Sequence, residues 1–333
     1  MFPYIPFIQS IVNVDPDIGI LLPELLPISM HMTPQTVAPR LQMLASLNTI
    51  LESLQSSERI GWNRVVFSAH SYGTFIAGWI VRNCLASSSG DSDVVDNSLI
   101  DKIAHLILVD PIPILISNPS VAFNFLYREP STTTASSSSN SSRWCPSYSA
   151  ASSWQLWYFA SRDADVARTL FRSFFWSEGG MWKEEVAAFL RWRGKRSETN
   201  NVKSLARYHD EVDDVSLASS PSTGIALPTR ATMNQHRRKM AVVLGGSDQI
   251  IPTEAIRRYL TNEDIWKARW VGRVVDDSQS EDLIGTGEEE EDRTDSGQLE
   301  VLYDPKLDHA KIFDDKQDMI PLLEVVRRYV RDV

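Results

Sequence analysis

The sequence predicts an α/β protein, a mostly parallel sheet with helices on both faces, and three observations predict it. Short apolar, β-branched runs alternate with longer segments of helical periodicity, the order of parallel strands joined by crossover helices. Two of those runs, residues 103–109 and 240–244, are apolar almost throughout, as strands covered on both faces are. Hydrophobic residues make up 43% of the 333 and charged residues 23%, which supplies a core and excludes a wholly disordered, collagen-like or coiled-coil chain.

Residues 18–30 are apolar but contain Pro23 and Pro27. Proline cannot donate to a ladder, so the reading is a short strand at 18–22 with an extended continuation. Residues 37–54 repeat apolar side chains three and four apart (Val37, Leu41, Leu44, Leu47, Leu51, Leu54), which is an amphipathic helix. A β-branched strand at 64–68 leads into residues 74–85, apolar nearly all round and therefore a buried helix. Strand 103–109 ends at Asp110-Pro111, strand 240–244 ends at Gly245-Gly246, a fourth strand covers 299–303, and an amphipathic helix follows at 320–330.

Residues 1–111 and 237–333 thus read as one core. Residues 112–236 read as a helical cap inserted into it, with helices at 164–176 and 182–192 and many large aromatics. Within the cap, residues 131–153 hold 11 serines and cannot bury enough apolar surface to offset their ordering entropy, so they read as a flexible loop. Residues 276–297 read as an acidic disordered loop, with ten acids against the single base Arg293 between 276 and 295. That run carries most of the net charge of −10, and no basic stripe remains for nucleic acid.

Two cysteines, Cys84 in the apolar helix and Cys145 in the serine-rich stretch, make neither a disulfide framework nor a zinc spacing. No apolar run reaches the ~18 residues of a spanning helix. Residues 1–14 are apolar but lack the basic start of a signal peptide. A reducing, cytoplasmic compartment is therefore the default expectation, with room for transient membrane contact through the cap.

The strongest chemical signal is Val65-Val66-Phe67-Ser68-Ala69-His70-Ser71-Tyr72-Gly73-Thr74. A strand runs into a tight turn and a buried helix follows at once, with Ser71 at the turn between small residues at −2 (Ala69) and +2 (Gly73). A nucleophile on such a strained turn leaves space beside it only for small side chains. It also stands near a helix N-terminus, whose dipole favours developing negative charge, with the Tyr72 N–H placed to meet an oxyanion.

Ala-His-Ser-Tyr-Gly between strand and helix resembles the nucleophile elbow of the α/β-hydrolase superfamily, with Ala69 where Gly-x-Ser-x-Gly has its first glycine. The resemblance covers most of the chain outside the two loops and extends to a group of fungal proteins of that superfamily. In the superfamily the order is nucleophile, acid, histidine. Gly245-Gly246-Ser247-Asp248-Gln249-Ile250-Ile251-Pro252 resembles its acid loop, and Leu307-Asp308-His309-Ala310 lies where it keeps its histidine. The resemblance thus implies a triad of Ser71, Asp248 and His309 and the Tyr72 N–H as an oxyanion donor.

Alternatives stand beside each assignment. Asp248 also suits a helix N-cap. Asp110 is the alternative acid, because it too ends a strand. Asp308 is expected to point away from the site, and His70 to pack under the turn. His31, His105, His209 and His236 lack metal-ligand spacing. No cofactor and no metal is expected.

The reaction implied is hydrolysis of a carboxylic ester, apolar in view of the aromatic insertion, through an acyl-enzyme. The superfamily's second oxyanion donor comes from a His-Gly loop upstream, and no His-Gly pair occurs in this sequence. The expectation is a chain lacking its N-terminal strands and that loop. The alternative function is a weakly active or inactive hydrolase-like scaffold or binding protein.

Overall fold

The computed structural model describes residues 4–29, 31–56, 62, 64–89, 98–130, 150–172, 178–192, 237–261, 269–272 and 298–333. The acidic run 276–297, residues 131–149 of the serine-rich stretch, Cys145, His209 and His236 lie outside them.

Five strands form one sheet: β1 (Val65–His70), β2 (Ile103–Val109), β3 (Lys239–Gly245), β4 (Arg269–Gly272) and β5 (Gln298–Asp304). Their order is β1-β2-β3-β5-β4, and all four pairings are parallel. Every residue of β2 is buried. Its Leu106 and Leu108 join an apolar cluster on one face, while Ile107 and Val109 join another on the opposite face. The alternation follows from the two-residue period of a strand and explains why no polar stripe marks β2 in the sequence. Each such side chain contributes about 1.5–3 kcal/mol on burial.

On one face lie α2 (Arg40–Gln55), α3 (Gly73–Ser89), α4 (Ser98–Lys102), α8 (Lys183–Arg191) and α9 (Thr253–Thr261). Helix α3 is buried all round, as read: Phe75, Ile76, Ala77, Trp79, Ile80 and Val81 are each 7% exposed or less, because sheet, α2 and α8 surround it. On the other face lie α1 (Ile5–Val14) and α10 (Lys316–Arg331). Helix α10 buries Met319, Leu322, Val325, Val326 and Tyr329, a stripe at helical spacing. It begins four residues before the periodicity indicates, because the Asp315 side chain accepts the Gln317 N–H and caps it.

Several expectations need correction. Residues 18–22 form no strand; Ile20, Leu21 and Leu22 are exposed, so the apolar run has no ladder to join. The apolar start, expected only to be no signal peptide, contains helix α1. Helix α2 begins at Arg40, after Pro39 in an extended conformation. The serine-rich stretch ends earlier than read, since α6 (Ala150–Leu156) includes Ser152 and Ser153. Strand β4, four residues long, gave too short a pattern to be found.

Among the described residues the insertion does two things. Helix α8 belongs to the main core, where Val186, Phe189 and Leu190 pack and Arg82 on α3 ion-pairs with Glu185 at 2.7 Å. The remainder is a smaller unit: α5 (Pro119–Ala122) with a π-helical turn at Phe123–Tyr127, α6 with a π-helical turn at Trp157–Ser161, and α7 (Ala164–Arg172). Leu126, Val166 and Leu170 form its core, against which Tyr72 and Phe125 rest.

Candidate active site

Four neighbouring strands deliver their C-terminal ends to one place. β1 delivers His70 and Ser71, β2 delivers Asp110, and the turns after β3 and β5 carry Asp248 and His309. Open parallel sheets form their clefts beyond these ends.

Ser71 has φ 50°, a left-handed conformation that a non-glycine residue adopts at a cost of about 1–3 kcal/mol. Its N–H donates to the Val109 carbonyl at 3.0 Å, and its own carbonyl accepts the Thr74 N–H at 3.0 Å and the Thr74 hydroxyl. The ladder on one side and the first turn of α3 on the other thus impose the strain. A Cβ built on Gly73 would meet the Ala69 Cβ at 3.8 Å, an ordinary van der Waals contact, so the two flanking positions face each other across the turn.

The turn after β3 needs both its glycines. A Cβ on Gly245 would lie 2.7 Å from the Leu307 carbonyl oxygen, and one on Gly246 would lie 2.5 Å from Pro305 Cα. This close approach is sutured by Ser247 N–H to Leu307 O at 2.9 Å and Ser247 Oγ to Pro305 O at 2.9 Å. The acid turn and the histidine turn therefore move as one. Gly245→Ala is expected to lose about 1–3 kcal/mol of stability, because the contact is with backbone that cannot step aside. Thermal unfolding checks this, and an unchanged melting temperature would refute the close approach.

The His309 Nε2 stands 2.9 Å from Ser71 Oγ, and its Nδ1 stands 2.7 Å from Asp248 Oδ2. Asp248 Oδ1 accepts the N–H groups of Ile250 at 2.7 Å and Ile251 at 3.0 Å. Oδ1 thus closes an Asx-type turn ahead of α9, which begins only at Thr253, so Asp248 is not that helix's N-cap, while Oδ2 meets the imidazole. With both backbone donors on Oδ1, the oxygen left for the imidazole can only accept, which places the His309 proton on Nδ1 and leaves Nε2 to accept from Ser71. Burial pushes the Asp248 carboxyl upward, and the His309 charge and the hydrogen bonds it accepts pull against that. Burial would lower His309, but the Asp248 carboxylate and, behind it, Asp110 and Asp308 outweigh it and lift the imidazole to about 9.

Asp110, the alternative acid, does not bond to His309. Its Oδ1 accepts the Gly245 N–H at 3.1 Å and its Oδ2 the Ala310 N–H at 2.8 Å. Asp308 turns from the imidazole as read, yet not toward solvent: its oxygens accept the Gln249 backbone N–H and side-chain amide, each at 3.1 Å. His70 is buried under the turn, its ring 5.2 Å from both Phe313 and His309, with Nδ1 2.7 Å from the Tyr4 hydroxyl. The contribution of Tyr4 left no signal in the sequence. His31 lies exposed beside Glu24 at 3.2 Å, and His105 is buried with Nδ1 accepting the Lys239 N–H at 3.0 Å.

One ligand-type atom from each of Asp110, Asp248 and His309 falls within a 4.8 Å span, the kind of group that can hold a cation. Asp248 and His309 already bond one another, and His309 also bonds Ser71.

The small helical unit contacts the turn that carries Asp248. Asn124 Nδ2 donates to the Ile250 carbonyl at 3.2 Å, and the Arg128 guanidinium donates to the Gln249 carbonyl. Tyr72, which follows Ser71, packs against Leu126, Val166 and Leu170, as Phe125 and Ala160 do, so an apolar cluster borders the residue next to Ser71. A cavity of about 390 Å³ lies toward α10; Asp110, Gly245 and Asp308 line it but Ser71 does not. Its carboxylates Asp110, Asp304, Asp308, Asp318 and Glu324, with no cation among the lining residues, make it unsuited to an acyl chain that ends as an anion.

No protein-family profile, no curated protein and no solved structure matches the chain. Among the described residues no helix is long and apolar enough to cross a membrane.

Proposed function

We propose that this chain is a serine hydrolase acting on apolar carboxylic esters, within an α/β-hydrolase architecture. The observation that carries the proposal is the unbroken series from Ser71 Oγ to His309 Nε2 (2.9 Å) and from His309 Nδ1 to Asp248 Oδ2 (2.7 Å), on a serine held at positive φ. In this reading Ser71 Oγ attacks the acyl carbon while its proton passes to His309 Nε2. Asp248 holds the tautomer and stabilises the imidazolium. The Tyr72 N–H, at the N-terminal end of α3, donates to the oxyanion. His309 returns the proton to the departing alkoxide. Water then attacks the acyl-enzyme, losing its proton to His309, and the carboxylic acid leaves as Ser71 is restored.

The apolar border of Phe125, Leu126, Val166 and Leu170 supports an apolar acyl group. So does the outer face of the two π-helical turns, where Phe123, Tyr127, Tyr158 and Phe159 are 56–65% exposed, a surface suited to apolar or interfacial substrates. The scaffold reading draws on the single oxyanion donor that can be named. Loss of one donor costs about 3–4 kcal/mol, so it would slow turnover without abolishing it.

The test is covalent. A fluorophosphonate probe is expected to label the folded protein, with the adduct mapped to Ser71 by mass spectrometry. Medium-chain p-nitrophenyl esters are expected to turn over faster than the acetate. Folded protein that stays unlabelled would favour the scaffold, and a preference for the acetate would remove the apolar substrate class.

A further inference from the structure

We infer that Asp110 is a positioning residue, a second carboxylate that ties the turn of Asp248 to the turn of His309 and sustains the charge His309 takes up during the reaction. The inference rests on the serine-hydrolase reading of the same site.

The geometry is that of a hub. One oxygen holds the Gly245 N–H, where the acid turn begins, and the other holds the Ala310 N–H, next to His309. His70, which precedes Ser71, presents Nε2 to Asp110 Oδ2 at 3.7 Å, just beyond hydrogen-bond length. The facing carboxylate favours the His70 proton on Nε2, which leaves Nδ1 to accept from the Tyr4 hydroxyl. Asp110 thus bonds the turns of the acid and the base, lies beside the end of β1 that leads into Ser71, and is 2% exposed. Among the described residues four non-glycines have positive φ, and three are Ser71 (50°), Asp110 (46°) and Ala310 (63°). Strain of this kind persists only where surrounding contacts over-determine it, and the Ala310 N–H bond to Asp110 is one such contact.

A buried carboxylate in a merely structural role would be better replaced by a neutral acceptor, because burying a charge is costly. Here the charge has a use. The groups facing His309 among the described residues are Asp248 from the turn after β3, Asp110 from the end of β2, His70 and Ser71 from the end of β1, and Asp308 from its own turn. Burial pushes the Asp110 carboxyl up, but His70, the His309 charge and the Ala310 N–H hold it below its ordinary value, so it is ionised while His309 works. Burial keeps His70 below the usual histidine range, hence neutral.

The sign of the effect follows. His309 must be neutral to accept the Ser71 proton, so reactivity rises with pH through a value that nearby negative charge has raised. In Asp110→Asn the acid limb of the fluorophosphonate labelling rate is expected to move to lower pH by about one unit. The maximal rate is expected to fall about 10–100-fold, as the amide NH₂ leaves either the Gly245 or the Ala310 N–H without its acceptor and that turn shifts. A structural role alone would lower the melting temperature and the rate but leave the limb where it was. A folded variant with an unmoved limb overturns the inference. If Asp110→Asn does not fold, Asp110→Ser decides: the His309 imidazole, followed by NMR, is expected to titrate at lower pH than in the wild type, because the Asp110 charge is gone. A folded Asp110→Ser protein whose His309 titrates as in the wild type overturns the inference. Wild-type protein that resists the probe would sink the hydrolase reading, and the NMR titration would still judge Asp110.

Discussion

Ser71→Ala is expected to lower the rate of ester hydrolysis by about 10⁴–10⁶-fold while leaving the fold intact. Rate and stability separate here for a physical reason. The hydroxyl is bonded to His309 Nε2 at 2.9 Å, but the turn is held by backbone bonds, Ser71 N–H to Val109 O and Thr74 N–H to Ser71 O, both at 3.0 Å. Alanine can adopt the same positive φ at a similar cost. Circular dichroism and melting temperature should therefore change little while turnover of a medium-chain ester disappears. Residual activity within tenfold of wild type would show that another group attacks the substrate, and the reading of Ser71 as nucleophile would be lost.

Asp248→Asn is expected to cost about 10⁴ in kcat, and the arrangement around the carboxylate says how. Ile250 and Ile251 donate to Oδ1, so the amide must set its oxygen there and turn its NH₂ toward His309 Nδ1. Nδ1 then becomes an acceptor, the ring proton moves to Nε2, and Nε2 meets Ser71 Oγ as a donor that cannot remove a proton. The size is the same in origin as for other triads, a wrong tautomer in right geometry. Steady-state kinetics on the pH plateau read it. A loss under tenfold would move the acid role to Asp110.

The raised His309 also has a consequence for stability. A histidine whose folded value lies above its unfolded value stabilises the fold fully below the unfolded value, and that contribution disappears as pH rises through about 9. The range in which His309 becomes a free base is thus the range in which its pairing with Asp248 stops stabilising the fold.

Much of the fold could be read locally. Strands β2 and β3 declare themselves because both faces are covered and the run is apolar almost throughout, and α3 because an apolar surface all round has no other home. The strand expected at 18–22 failed for the complementary reason. A strand needs a partner as well as a propensity, and nothing in the local pattern says whether an edge is within reach. Helix α8 drew the same kind of error in reverse, since its stripe fits either a cap or the core, and only its packing on α3 decides.

Ser71 was identifiable because its requirements are local: a strand, a small residue on each side, a helix. Asp248 and His309 could be proposed by order, but Asp110 ends the neighbouring strand and satisfied the same local rule as Asp248. The sequence by itself determined which residues sit at strand ends and in what chemistry they can engage. Only the tertiary structure decided that Asp248 reaches the imidazole while Asp110 holds the loops around it. Hydrogen bonding is settled within a few tenths of an ångström, and those distances are set by strand register and by the Gly245 contact with the histidine turn, between residues some sixty positions apart.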